Sequence, residues 1–288
     1  MPNSTVIIYL GANRIEIGRS TGSCPQEIIN WEKDYINGEY RIGLKKILER
    51  YFQSFNTLRN HEIQVLILED IFISVAEKKI ICSILFDELY CAYVAFIPRV
   101  IVHCLSCNTR NAIVVDVVAS HTTCVPIFDL RPLQQYIKYT KRDQEDVHLN
   151  KSPTSCPYTS IFFDKEYNFE VYEDDEIPVI NLVKGIIDSL PIDLRKPLRE
   201  NIIIVNIEEK FETTIKELFR ENMSSSIIQF SKDYWQAGSA CAKTFMHSRG
   251  GSVAGLKRDE FCNNPNIVPD WFDFYFKSGV KPIKQPSP

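Results

Sequence analysis

Continuous apolar runs separated by helical patterns constrain the fold of this chain more than any other feature of its sequence. The runs cover residues 65–68, 92–97, 112–115 and 202–205. Runs of this kind are typical of strands that helices cover on both faces of a sheet. Because such strands alternate along the chain with helical segments, the sequence predicts an α/β fold with mixed sheets flanked by helices.

Helical periodicity fills the intervals between these runs. In the first helical segment the apolar residues recur every three or four positions, so they share one face: Leu44, Ile47, Leu48, Tyr51, Phe52 and Phe55. Further helices are predicted over 73–90, from Pro98 to about Cys107, over 178–190, over 209–221 and from Trp235 to about His247. The polar stretch 20–42 is predicted to be a loop, and 140–176 a partly exposed insertion.

Two strand–turn–strand units stand out. The first covers residues 5–19, and the second joins a buried strand at 112–116 to a returning strand at 122–128. Gly11 in the first unit and Asp116 in the second are about 105 positions apart, which indicates an internal duplication.

Composition and charge exclude several classes of protein. The chain has 288 residues, 44% of them hydrophobic, and its 33 basic against 37 acidic residues give a net charge of −4. These values are typical of a globular protein and provide no global attraction to nucleic acid or anionic lipid. The first apolar stretch ends at Gly11, too early for a signal peptide or a membrane span. We therefore expect a cytoplasmic protein with neither a nucleic-acid nor a membrane partner.

The nine cysteines form no disulfide framework of the kind found in small secreted proteins. Cys104 and Cys107, with His103 beside them, have the spacing of a redox or zinc pair. No second pair lies at metal-ligand spacing, and the segment is an apolar helix. Buried, inert thiols are therefore the favoured interpretation, and no metal site is predicted.

Several segments, taken in order, resemble the actin family. They are Gly11 and Gly18 framing the first hairpin, 113–116 followed by 125–128, 193–198 with Asn201, Trp235-Gln236-Ala237-Gly238-Ser239, and 256–261. Together they cover most of the chain. The resemblance implies an actin-like fold: two duplicated ribonuclease H-like domains, each with a mixed five-stranded sheet flanked by helices.

The resemblance also implies a domain organisation. Residues 1–106 with 232–288 would form the small domain, and 107–231 the large domain. The family's second subdomain normally lies between Gly18 and the helix starting near Leu44, and we expect it to be missing here. The fourth subdomain is expected to be shortened around 143–178.

Actins hold ATP and Mg²⁺ between their two hairpin turns. The resemblance places a degenerate form of this cleft at Gly11, Ala12, Asn13, Asp116 and Gly238. Backbone N–H groups at such glycine-rich turns are what cradle phosphates.

Most of the family's catalytic groups are replaced in this chain. The departures are Tyr9 for an aspartate, Glu16 for a lysine, 117–120 for a glycine-rich turn, Arg99 and Thr123 for a glutamine and a histidine, and 206–208 for a glycine pair. Phosphoryl transfer depends on positioning and electrostatic stabilisation, so these losses compound. We expect no enzymatic activity and no cofactor. Residual binding of ATP or ADP stays open, because Arg14 or Arg99 could partly offset the missing positive charge.

The missing subdomain suggests a function. In actins it carries the loop that grips the next subunit at the pointed end of a filament. A chain without it could dock on a filament end and offer nothing to a further subunit, which makes it a cap.

Within the family, the resemblance to a shortened actin-related subunit of dynactin implies where such a cap would act. Its partners would be the filament-forming actin-related protein and other dynactin subunits. Its roles would be dynein-driven transport along microtubules and nuclear or spindle positioning, in the cytoplasm and on the cytoskeleton. The alternatives are an actin-like ATPase with an unusual site and an actin-related subunit of a chromatin-remodelling complex. The sequence has no basic nuclear-import cluster, which disfavours the last.

The C-terminal segment is rich in aromatic residues: Trp271, Phe272, Phe274, Tyr275 and Phe276. If they pack on their own domain they are core residues. If they are exposed they form a partner-binding tail, because aromatic side chains dominate interface anchors. The sequence leaves both interpretations open.

Overall fold

The architecture was analysed in a computed structural model of the chain. It describes residues 5–11, 14–31, 39–53, 63–118, 121–141, 156, 158–164, 175–231, 234–246, 255–269 and 271. The chain divides into two compact units. The first comprises Met1–Val102 and Trp235–Pro288, and the second comprises His103–Tyr234. Their assignment to the small and large actin domains stays a prediction.

The strands of the described residues are, in chain order, Thr5–Leu10 (β1), Arg14–Arg19 (β2), Glu27–Asn30 (β3), Gln64–Glu69 (β4), Tyr93–Pro98 (β5), Ala112–Val117 (β6), Thr122–Phe128 (β7), Arg131–Pro132 (β8), Lys138–Thr140 (β9), Asn201–Val205 (β10), Ile227–Ser231 (β11) and Gly255–Lys257 (β12). The helices are Glu39–Gln53 (α1), Val75–Ser83 (α2), Arg99–Ser106 (α3), Thr159–Phe162 (α4), Val179–Ser189 (α5), Ile192–Glu200 (α6), Glu212–Asn222 (α7), Tyr234–Met246 (α8) and Arg258–Asn263 (α9). The helices and strands predicted from the apolar runs are confirmed.

The two sheets share one plan. The first has the strand order β12-β5-β4-β1-β2-β3, and the second has β11-β10-β6-β7-β8 with β9 also paired to β7. In each, a hairpin (β1–β2 or β6–β7) is antiparallel, and its first strand pairs in parallel with a later strand. A second parallel strand follows in both sheets. This repeated topology agrees with the internal duplication predicted from the hairpin spacing.

Two predictions about the sheets are wrong. Over the described residues, each sheet has six strands rather than five. The stretch 20–42 is not all loop, because β3 pairs antiparallel with β2. β3, β8 and β12 are short edge strands of two to four residues. Strands this short carry neither an apolar run nor a clear alternation, so the sequence gives little sign of them.

Each unit has its own apolar core. In the first, the buried side of the sheet packs on α1 and on the α2 segment, and the rings of Phe86 and Phe261 stack at 5.1 Å. In the second, β6 and β10 pack on α5 and α7, where Phe162 and Phe219 meet edge to face at 5.8 Å. The residues of the run 65–68 are 0% exposed, as expected of a strand covered on both faces.

Local signals explain where the second helix begins and ends. Ser74 caps α2, with Glu77 completing a capping box. The same helical segment continues as a π-helix over Ile84–Glu88, which accounts for the length of the predicted helix. Among the described residues, we find no helix both long and apolar enough to cross a membrane.

Candidate functional site

The side chain of Tyr9 covers the first hairpin turn at Gly11. The Gly11 N–H donates to the Arg14 carbonyl at 2.9 Å, which closes the turn between β1 and β2. A Cβ atom placed on Gly11 would lie 2.7 Å from the Tyr9 hydroxyl oxygen and 2.9 Å from two ring carbons. Any larger residue here would require the Tyr9 ring to shift, because the ring lies directly against Gly11.

Two arginines and one glutamate surround Tyr9, and we call these four residues the hairpin cluster: Tyr9, Arg14, Glu16 and Arg99. Strand pairing places Glu16 directly opposite Tyr9. Glu16 is 2% exposed, and its Oε1 lies 2.7 Å from the Arg14 Nε. The Arg99 guanidinium is buried and lies 4.8 Å from the Tyr9 ring centroid, and that of Arg14 lies 6.0 Å from it. Both cations therefore contact the ring that covers the turn.

The electrostatics of the hairpin cluster are set mainly by burial. Burial raises the pKa of the Glu16 carboxyl above its ordinary value of 4.5, and the positive charges of Arg14 and Arg99 oppose that shift only in part. The carboxyl is thus held in a partly desolvated place, where the charges of Arg14 and Arg99 favour its ionised form.

This shift predicts a pH dependence of stability. The folded state binds the Glu16 proton more tightly than the unfolded state does, because the folded pKa is raised. The contribution of Glu16 to the free energy of unfolding is therefore full below pH 4.5 and declines as the pH rises through the folded pKa. We expect Glu16→Gln to lack this decline.

Urea denaturation across this pH range measures the difference between wild type and Glu16→Gln. The matched control is Glu27→Gln, which neutralises a glutamate in an exposed pair with Arg50 at 3.1 Å. A wild-type profile parallel to that of Glu16→Gln would contradict the prediction.

The second hairpin turn places Asp116 beside Asn206. Asp116 lies near the end of β6, which pairs in parallel with β10, and Asn206 directly follows β10. The Asn206 Nδ2 donates to the Asp116 Oδ1 at 2.7 Å. Within the turn, the Val118 N–H donates to the His121 carbonyl at 3.0 Å. Asp116, 7% exposed, is therefore engaged by a neighbouring amide, and the N–H of Val118 by the turn itself.

We expect Asn206→Ala to lower the free energy of unfolding by about 2–4 kcal/mol. The substitution removes a hydrogen bond to a charged group, which contributes about 1.5–3 kcal/mol, and places alanine at a positive φ, which costs about 1 kcal/mol. The φ of Asn206 is 64°. Asn206→Gly is the matched control, since glycine also lacks the side-chain hydrogen bond but adopts the positive φ without strain. If urea denaturation shows that both variants lose the same free energy of unfolding, the positive φ adds no cost in Asn206→Ala.

The segment Trp235–Ser239 packs α8 against the first sheet. A Cβ on Gly18 would lie 2.8 Å from the Trp235 Cζ2, so the indole packs on that glycine. A Cβ on Gly238 would lie 3.2 Å from the Leu68 Cδ1, and the Ser239 hydroxyl donates to the Ser20 carbonyl. The structure thus places Gly238, a predicted cleft residue, in helix–sheet packing.

An ion pair that the sequence did not predict lies at the carboxyl end of β4. The Lys78 Nζ is 2.6 Å from the Glu69 Oε2, and these side chains are 9% and 5% exposed. The same Nζ lies 5.3 Å from the Phe96 ring centroid. Glu69 in the strand and Lys78 in the helix are nine positions apart. No helix or strand periodicity relates two residues at this spacing, so the sequence does not predict the pair.

The other predicted site residues fall into two groups. Trp271 is 0% exposed, so this aromatic is buried rather than displayed. Six further predicted residues lie outside the described part of the chain: Ala12, Asn13, Phe272, Phe274, Tyr275 and Phe276.

Cys104 is a buried thiol as predicted, whereas Cys107 is partly exposed. Cys104 is 0% exposed, and burial raises the pKa of both thiols. The buried His103 shares a 2.7 Å hydrogen bond with the Ser231 hydroxyl. Over the residues that the structure describes, no group of three or more His, Cys, Asp or Glu side chains is placed to hold a metal ion.

The comparisons with known proteins identify the family. No protein-family model matches the chain. It is 64% identical over 284 residues to actin-like protein ARP10 of Saccharomyces cerevisiae, an alignment that covers 99% of this chain and 100% of that protein. This chain belongs to the actin-related proteins. Another actin-related protein, actin-like protein arp10 of Schizosaccharomyces pombe, is 31% identical over 192 residues, covering 65% of this chain and 48% of that protein.

Membership of the actin-related proteins agrees with the two mixed sheets flanked by helices. The actin-like α/β fold inferred from the sequence motifs is therefore confirmed.

Proposed function

We propose that this actin-related protein is a non-catalytic structural subunit of dynactin that caps the pointed end of the actin-related filament. In this role it supports dynein-driven transport along microtubules. The observation that carries the non-catalytic part is the hairpin cluster, in which Tyr9 covers Gly11 and Glu16 pairs with Arg14. A catalytic actin would offer this turn to the phosphates of ATP.

Electrostatics argue against hydrolysis at such a turn. Phosphoryl transfer needs positive groups and backbone donors fixed around the phosphates. A buried carboxylate at Glu16 repels a polyphosphate, and the ring of Tyr9 fills space beside the turn. Val117 and Val118 follow Asp116 in the second hairpin, and β-branched residues resist the positive φ values that phosphate cradles use. The alternative of an actin-like ATPase is therefore disfavoured.

The capping part rests on the connection between β2 and α1. Residues 20–38 make this connection and include the short strand β3. In actins the corresponding region is the second subdomain, which grips the next subunit. A head-to-tail assembly stops growing when its last subunit lacks one of the two complementary surfaces. A subunit shortened in this way would end a filament rather than extend it.

Nucleotide content tests the non-catalytic assignment. Purified protein is denatured, and the supernatant is analysed for ATP and ADP by chromatography. We expect neither, and we expect no change in melting temperature with Mg–ATP. A ligand present at 100 times its Kd would stabilise the folded state by about 2.7 kcal/mol, which a thermal scan detects readily. Bound nucleotide at one per chain, or a clear rise in melting temperature, would favour the ATPase alternative.

Affinity purification tests the complex to which the protein belongs. The tagged protein is isolated from cytoplasmic and nuclear extracts, and its partners are identified by mass spectrometry. We expect the filament-forming actin-related protein and other dynactin subunits in the cytoplasmic fraction. Recovery with the subunits of a chromatin-remodelling complex instead would contradict the proposal.

A further inference from the structure

The hairpin cluster holds more positive than negative charge. Arg99 is 3% exposed, and Arg14, with 45% of its side chain exposed, reaches the cluster from the solvent side. Burying a guanidinium as deeply as that of Arg99 costs free energy unless an anion or a π-system compensates its charge. The cluster provides both for Arg99: the Tyr9 ring lies 4.8 Å from its guanidinium, and Glu16, which pairs with Arg14, is near enough for its charge to interact with Arg99.

We propose that the hairpin cluster is an oxyanion site that the chain fills with its own carboxylate, Glu16. In this arrangement Glu16 is an internal ligand that excludes phosphate-type anions from the first hairpin turn. The inference rests on the proposed function in one respect, since both require that the wild-type turn holds no phosphate compound.

Carboxylates and phosphates satisfy arginine by the same chemistry. The planar guanidinium donates parallel N–H bonds to two oxygens of either group. The Glu16 Oε1 already lies 2.7 Å from the Arg14 Nε, which is hydrogen-bonding distance. An oxyanion in that position would meet the same donor.

The positions of the two cations do not depend on Glu16 alone. The Tyr9 ring lies 4.8 Å from the Arg99 guanidinium and 6.0 Å from that of Arg14, and it is itself held against Gly11. We therefore expect the buried Arg99 guanidinium to stay against the Tyr9 ring when the carboxylate is removed. The partly exposed Arg14 leaves a path for an anion from solvent.

Calorimetric titration with inorganic tripolyphosphate tests the proposal. We expect Glu16→Gln to bind the probe about tenfold or more tightly than wild type, because a buried negative charge next to the site is gone. Glu27→Gln is the matched control: it makes the same change in net charge at the exposed pair with Arg50. Equal binding by wild type and Glu16→Gln, or an equal gain in Glu27→Gln, would overturn the proposal.

A double variant locates the gained binding. Arg14→Gln added to Glu16→Gln should abolish the gain, because it removes the accessible guanidinium. If the gain survives, the anion binds elsewhere and the proposal is wrong. Circular dichroism confirms folding of each variant, and Glu16→Thr, which suits a strand and leaves more space, replaces Glu16→Gln if needed. Failure of both to fold even with excess tripolyphosphate would also overturn the proposal, since an external anion could then not replace Glu16.

The failure of this proposal is distinguishable from that of the proposed function. Tripolyphosphate binding by Glu16→Gln is measured on the isolated protein, whereas capping is measured on filaments. A wild-type protein that already binds tripolyphosphate tightly would contradict both. If Glu16→Gln gains no tripolyphosphate binding while the wild-type protein caps filaments, only the proposal that Glu16 is an internal ligand is contradicted.

Discussion

Replacing Trp235 with alanine will lower the free energy of unfolding by about 3–5 kcal/mol, the range observed for large aromatic residues deleted from protein cores. Trp235 is 3% exposed, and its indole lies against Gly18, where a Cβ would be only 2.8 Å away. The alanine variant loses this contact and leaves a cavity between α8 and the first sheet. Because Gly18 has no side chain, it cannot fill that cavity.

Urea denaturation at neutral pH measures this loss. The matched control is Gln236→Ala, since Gln236 is the next residue of α8 and is exposed. We expect the control to change the free energy of unfolding by less than about 0.5 kcal/mol. A loss below about 1 kcal/mol in Trp235→Ala would show that Trp235 does not stabilise the packing of α8 on the sheet.

Lys78→Met will have an effect of similar size, about 3–5 kcal/mol, for a different reason. Lys78 and Glu69 form a buried ion pair with a 2.6 Å contact. Removing the ammonium leaves the Glu69 carboxylate buried without its charge partner, which costs far more than the pair contributes as a whole. Urea denaturation of the single variant measures the loss.

The double variant Glu69→Gln with Lys78→Met separates this cause from a general packing defect. Since it removes both charges, we expect it to recover most of the lost stability. Arg50→Met, in the exposed pair with Glu27, should cost less than about 1 kcal/mol. A double variant no more stable than Lys78→Met would show that a packing defect at position 78, rather than the unpaired charge, causes the loss.

The central strands could be predicted because burial on both faces leaves a direct record in composition. The run 65–68 and its counterparts are apolar at every position, and neighbouring helices keep their periodicity. The edge strands β3 and β12 have no such record. Their existence depends on backbone pairing with β2 and β5, which a strand of three or four residues does not mark in its own sequence.

The candidate site was predicted only in part. The motif resemblance located Gly11, Asp116 and the departures at Tyr9 and Glu16. In the structure Glu16 is buried on one face of the hairpin, which the motif resemblance did not show. That face is covered because Tyr9 lies opposite and Arg99 comes from another strand–helix junction. Such cross-strand contacts depend on tertiary packing, which periodicity does not encode.

The contact between Asn206 and Asp116 also depends on tertiary packing. The two residues are 90 positions apart and meet because β6 and β10 are parallel neighbours with their carboxyl ends at one edge. Sequence comparison with the family identified 206–208 only as the place of a missing glycine pair. It could not show that the asparagine amide would satisfy Asp116.

Electron microscopy of labelled protein on dynactin filaments tests the central claim most directly. The purified chain, carrying a gold or antibody-fragment label, is added to filaments of the actin-related protein, and the label's position and copy number are counted. The account predicts one label at one end of each filament, and no decoration along the side. Uniform decoration, incorporation along the filament or no binding at all would contradict it.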